Sequence, residues 1–114
     1  MQLLLIDEGT KVGYVQHEFN ALYPFLKIDF KRNDIKRIRT QAFEKFNASH
    51  KIDVDKHRTV AEIKKDFKDL LGLTIEIFRK SGNVWIETSL TDDWTLERQN
   101  REAEFLAEHT AKFK

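Results

Sequence analysis

Cysteine is missing from all 114 residues, which removes disulfides, thiolate nucleophiles and thiolate metal ligands from consideration. Proline occurs once, at Pro24. The four glycines (Gly9, Gly13, Gly72 and Gly82) stand singly, so no Gly-rich loop is present to cradle a phosphate. No apolar run approaches the length of a membrane span. The opening MQLLLIDEG has four apolar residues in a row, without a basic flank before them or a small-residue cleavage site after them. No signal peptide is expected there, and the cytoplasm is the expected location. His17, His50, His57 and His109 form no HExxH pair, and neither Ser81 nor Ser89 sits in a nucleophile-elbow pattern. No catalytic residue, metal site or cofactor is expected.

Hydrophobic residues make up 40% of the chain and charged residues 34%, a balance that can support a packed core. One domain over residues 1–110 is expected, with 111–114 fraying. The net charge of +1 gives no global pull toward nucleic acid, but the charge is locally uneven. Lys27–Arg39 holds six basic residues against two acidic ones, and Asp92–Glu108 holds six acidic against two basic.

Leu3–Ile6 reads as a strand buried on both faces. Val12, Val15, Phe19 and Leu22 recur at helical spacing with Tyr23 nearly in line, and Pro24 ends that helix. Leu26, Ile28 and Phe30 then alternate with Lys27, Asp29 and Lys31 as a strand with one outward side. The same order returns after Ile52 and Val54. Thr59 and Glu62 form a capping box, and Val60, Ile63, Phe67, Leu70 and Leu71 repeat the first helix 48 residues on. Gly72 stands where Pro24 stood. Asn33–Ser49 predicts a further short amphipathic helix behind Asn33 or Asp34.

Leu73, Ile75 and Ile77 alternate into a turn at Ser81-Gly82-Asn83, and Val84, Ile86 and Thr88 alternate after it, which predicts a hairpin. Asp92 and Asp93 suit the positive end of a last helix, whose apolar stripe is Leu96, Gln99, Ala103, Leu106 and Ala107. The class is α+β. Two strand-helix-strand units predict a ferredoxin-like split βαβ layout, with an extra hairpin strand and an added C-terminal helix. If Leu26, Ile28, Ile75, Ile77, Val84 and Ile86 face the helices, then Lys27, Lys31, Phe78 and Trp85 face away. Aromatics flanked by lysines on an open sheet suit base stacking, although no RNP-type octapeptide or GxxG loop accompanies them. Trp94 falls on a different side and marks an alternative position for a small-molecule or active-site pocket.

Residues 78–100, FRKSGNVWIETSLTDDWTLERQN, carry a pattern of their own. It runs through Arg79-Lys80-Ser81-Gly82-Asn83, then Trp85, Glu87 and Thr88, then Thr91, Asp92, Trp94, Thr95 and Leu96, then Gln99 and Asn100. In this the chain resembles a group of small bacterial proteins, chiefly from Bacteroidetes. The likeness extends to the Thr59–Gly72 helix and loosely to the first strand and helix. The resemblance implies that 78–100 forms one structural unit and brings no activity with it. Arg79, Asn83, Glu87, Asp92, Gln99 and Asn100 are the candidates for a polar network that binds a partner or locks the hairpin to the last helix. The expected role is a protein–protein interaction or assembly module without cofactor. A protein partner or self-association is expected ahead of RNA or single-stranded nucleic acid, and no membrane is expected to take part.

Overall fold

Each apolar alternation places one face of a strand inward, and the ladders then decide which strands share that face. The computed structural model describes residues 1–7, 10–31 and 50–112. The helix predicted over 33–49 lies outside the described residues. Five strands are described: β1 (Leu3–Ile6), β2 (Leu26–Phe30), β3 (His50–Asp53), β4 (Ile75–Ser81) and β5 (Val84–Glu87). Three α-helices accompany them: α1 (Val12–Leu22), α2 (Val60–Leu71) and α3 (Leu96–Lys112). Among these residues no helix is long and apolar enough to cross a membrane.

The architecture is α+β. β1 pairs with β3, and β2, β4 and β5 form a second sheet in that order, with every ladder antiparallel. A ferredoxin-like sheet sets the first strands of its two units side by side and parallel. Here those strands, β1 and β3, run antiparallel in a ladder of their own, so the described ladders do not form that order. The strand-helix-strand repeat itself is present and follows a local two-fold. The β1–β3 ladder sets Leu4 against Ile52, 48 residues apart, and the β2–β4 ladder sets Ile28 against Ile77, 49 apart. One equivalent pair therefore meets at the axis of each ladder, with a one-residue slip after the helix. Burial repeats too. Val15 and Ile63, Phe19 and Phe67, and Tyr23 and Leu71 are buried in one core, whereas Leu22 and Leu70 are both exposed.

β1 departs from its expected environment. Leu4 and Ile6 are buried, but Leu3 and Leu5 are exposed, because only one face of the β1–β3 ladder meets the core. Strand β2 is tied to the helix before it by polar side chains. Gln16 Nε2 donates to the Ile28 carbonyl at 3.1 Å and to Asp29 Oδ1 at 2.9 Å, and Asn20 Nδ2 donates to the Leu26 carbonyl at 2.8 Å. At the end of α2, Gly72 takes a φ of +67°, a conformation that costs a residue with a Cβ.

Helices α2 and α3 begin against each other. Thr59 and Thr95 form an isolated antiparallel bridge. Val60 N donates to Trp94 O at 3.2 Å, and Leu96 N donates to Arg58 O at 2.9 Å. One residue on, Ala61 N donates to Asp92 O at 2.8 Å, and Glu97 N donates to Lys56 O at 3.0 Å. The third amide in each helix goes to a threonine, Glu62 N to Thr59 Oγ1 at 3.2 Å and Arg98 N to Thr95 Oγ1 at 3.1 Å. First-turn amides, which a helix cannot satisfy internally, are thus exchanged between two helices. Asp92 enters this junction through its carbonyl, and Thr95 is the residue whose side chain accepts from the first turn of α3. Beyond it, Leu96, Gln99 and Ala103 are buried, while Leu106 and Ala107, from the same predicted stripe, are exposed. α3 runs to Lys112.

Candidate interaction surface

Strand parity assigns the hairpin residues to faces. Leu26, Ile28, Phe30, Ile75 and Ile77 point into the core. The opposite face carries Lys27 level with Phe78 and Glu87, and Lys80 level with Trp85. Phe78 and Trp85 are half-buried. Lys27 Nζ lies 5.2 Å from each ring centroid, and Lys80 Nζ lies 6.0 Å from the Trp85 ring. Lys27 also meets Asp29 at 3.8 Å. Lys31 shares the face but stands past the end of β2, its amide donating to Thr74 O, away from both rings. The face also carries Asp29, Glu76 and Glu87, so its charge is balanced and not basic. Glu76 takes Lys64 Nζ at 3.2 Å.

Trp94 belongs elsewhere. The Arg98 guanidinium lies 3.8 Å from its ring centroid and the Arg79 guanidinium 5.6 Å away, so two cations flank the indole. A surface groove runs along α3 past Thr95, Arg98, Arg101 and Phe105, and Trp94 is not among its described lining residues. Two of the six candidate polar residues, Arg79 and Gln99, join the hairpin to α3, and a third, Asn100, ties α3 to the turn before β2. Arg79 Nη1 donates to Gln99 Oε1 at 3.0 Å, and Gln99 Nε2 donates to the carbonyl and hydroxyl of Thr91, both at 2.8 Å. Asn100 Oδ1 accepts from Phe25 N at 2.9 Å. Asp92 takes part through its carbonyl at the helix junction, Asn83 sits in the hairpin turn, and Glu87 stands on the outer face beside Phe78. Thr91 completes the Gln99 site and was not among the candidates.

The remaining feature of the hairpin is its rim. Lys31 N bonds Thr74 O and Lys80 N bonds Phe25 O, so the even-numbered residues of β4 turn their backbone groups toward β2. Thr88 N bonds Ile77 O at 3.2 Å, so the odd-numbered ones turn toward β5. On β5 it follows that Ile86 and Thr88 bond inward, while the N–H and C=O of Trp85 and Glu87 point outward. Among the described residues β5 has a ladder on its β4 side alone. Val84 and Ile86 are 58% and 37% exposed, and neither lysine nor proline guards Val84–Glu87. That absence is readable in the sequence. Among the described residues no group of three or more His, Asp or Glu side chains is placed to hold a metal ion.

The chain matches no protein-family model, no curated protein and no solved structure.

Proposed function

We propose that this protein is an interaction or assembly module that takes a partner strand on the outer edge of β5. The observation that carries the reading is that edge itself, with outward backbone groups at Trp85 and Glu87 and exposed Val84 and Ile86 beside them. Backbone pairing along an open strand supplies affinity, and the side chains on either face supply selectivity. The balanced charge around Phe78 and Trp85 favours this over nucleic acid, whose phosphates would meet Asp29, Glu76 and Glu87 as well as the lysines.

A display library of short random peptides, panned on the wild-type protein and counter-selected on Trp85→Pro, tests it. Proline at 85 removes an amide that points away from β4, so the hairpin ladder keeps its own bonds. Extended peptides with alternating apolar residues should emerge, and each should lose binding to Trp85→Pro. Recovery of no peptide, or of peptides indifferent to the substitution, overturns the proposal.

A further inference from the structure

The edge of β5 is self-complementary, and from this we infer that its occupant is a second copy of the same chain, paired antiparallel about a two-fold axis at Ile86. The inference rests on the strand-addition reading above. An axis perpendicular to a continuous sheet keeps each residue on its own face, so it must pass through a residue and not between two. An axis at Trp85 would require Asn83 to pair with Glu87, but Asn83 lies in the turn beside Gly82, whose φ is +62°. An axis at Ile86 keeps all pairs within Val84–Thr88. Trp85 of one copy then exchanges backbone hydrogen bonds with the partner's Glu87, using the groups that point outward.

The side chains agree with this register. On the core face Ile86 meets the partner's Ile86, with Val84 flanking it, so both exposed apolar groups of the edge are covered. On the outer face Glu87 lies between Phe78 and the partner's Trp85. Lys27, which reaches over Phe78, lies on one side of that carboxylate. The partner's Lys80, level with the partner's Trp85, lies on the other. Each row therefore runs cation, aromatic, anion, aromatic, cation, and the second copy brings a lysine toward each Glu87 carboxylate. The result joins two three-stranded sheets into one.

Sedimentation equilibrium over a wide concentration range tests the pairing, with oxidative cross-linking to fix its register. The wild-type protein should reach twice the 13.5 kDa chain mass as concentration rises. Ile86→Lys, which sets like charges across the axis, and Trp85→Pro should both remain at the single-chain mass with unchanged far-UV circular dichroism. The chain has no cysteine, so single replacements report cleanly. Ile86→Cys should cross-link on mild oxidation, because directly opposed residues of a non-hydrogen-bonded pair have Cα atoms about 4.5 Å apart. Trp85→Cys should not. A wild-type chain that stays single at millimolar concentration, or a dimer that survives both Ile86→Lys and Trp85→Pro, overturns the inference. Cross-linking through Trp85→Cys in place of Ile86→Cys overturns the register. Peptide capture at the edge by a strictly single chain would sink the second copy and leave strand addition standing.

Discussion

Gln99 is a fully buried side chain that is nonetheless polar, and both ends of its amide are used. Its oxygen accepts from Arg79 and its nitrogen donates twice to Thr91, which fixes the hairpin to α3 and to the turn between them. Replacing it with leucine keeps the volume but strands the guanidinium and the Thr91 carbonyl, a loss of about 2–3 kcal/mol. Urea unfolding of Gln99→Leu should show that loss as a lower midpoint with the slope retained. Tyr23 is the other buried polar group with a long reach, donating from its hydroxyl to Val54 O at 2.5 Å. Burial, and then the carboxylates of Asp55, Asp53 and Glu97, push its hydroxyl up to about 12. A phenol whose pKa is raised on folding contributes stability that is whole below pH 10 and is lost as pH climbs toward 12. Tyr23→Phe should cost about 1 kcal/mol at neutral pH. The difference between the two proteins, followed by unfolding midpoints, should shrink through that alkaline window. Gln99 could be read as a polar member of an apolar stripe. Thr91 could not, because its part depends on how the chain folds back between β5 and α3.

At the level of elements, the meeting of α2 and α3 deserves a direct test because each helix start depends on the other. Thr59→Ala and Thr95→Ala should each cost about 1 kcal/mol, the ordinary loss for an N-terminal cap. The paired carbonyls make the sites neighbours, so the double substitution should depart from the sum of the singles, measured as a double-mutant cycle on thermal or urea unfolding. The Glu62 carboxyl is held below its ordinary value, first by the Thr59 backbone N–H and then by its hydroxyl. Its contribution is present above the ordinary carboxylate range and fades as pH falls through the lowered value, so Thr59→Ala should flatten part of the acid limb. The capping box at Thr59 was legible from spacing. The cap at Thr95 was obscured by Asp92 and Asp93, whose charge marks a helix start equally well but whose place is one turn earlier.

For the whole molecule, repetition was legible and adjacency was not. Apolar spacing revealed two strand-helix-strand units and a 48-residue offset, since matching helices need matching faces. Alternation says which side of a strand is inward, but the same alternation serves a parallel or an antiparallel neighbour. The two-fold pairing of β1 with β3 and β2 with β4 therefore emerged only in three dimensions. Among the described strands β5 alone stands outside the repeat, and it forms one edge of its sheet. Alternation separates Phe78 and Trp85 from the core-facing residues of their strands, while the backbone direction that opens Trp85 and Glu87 is visible only in the ladders.

Residue-resolved amide hydrogen exchange along β5 puts that edge to the test, at low and high protein concentration. The Ile86 and Thr88 amides, bonded to β4, should be slow at both. Trp85 and Glu87 should exchange fast in dilute solution and slow sharply as concentration rises. Equal, concentration-independent protection at all four, or fast exchange at Trp85 and Glu87 throughout, would contradict a β5 edge that pairs with its own copy.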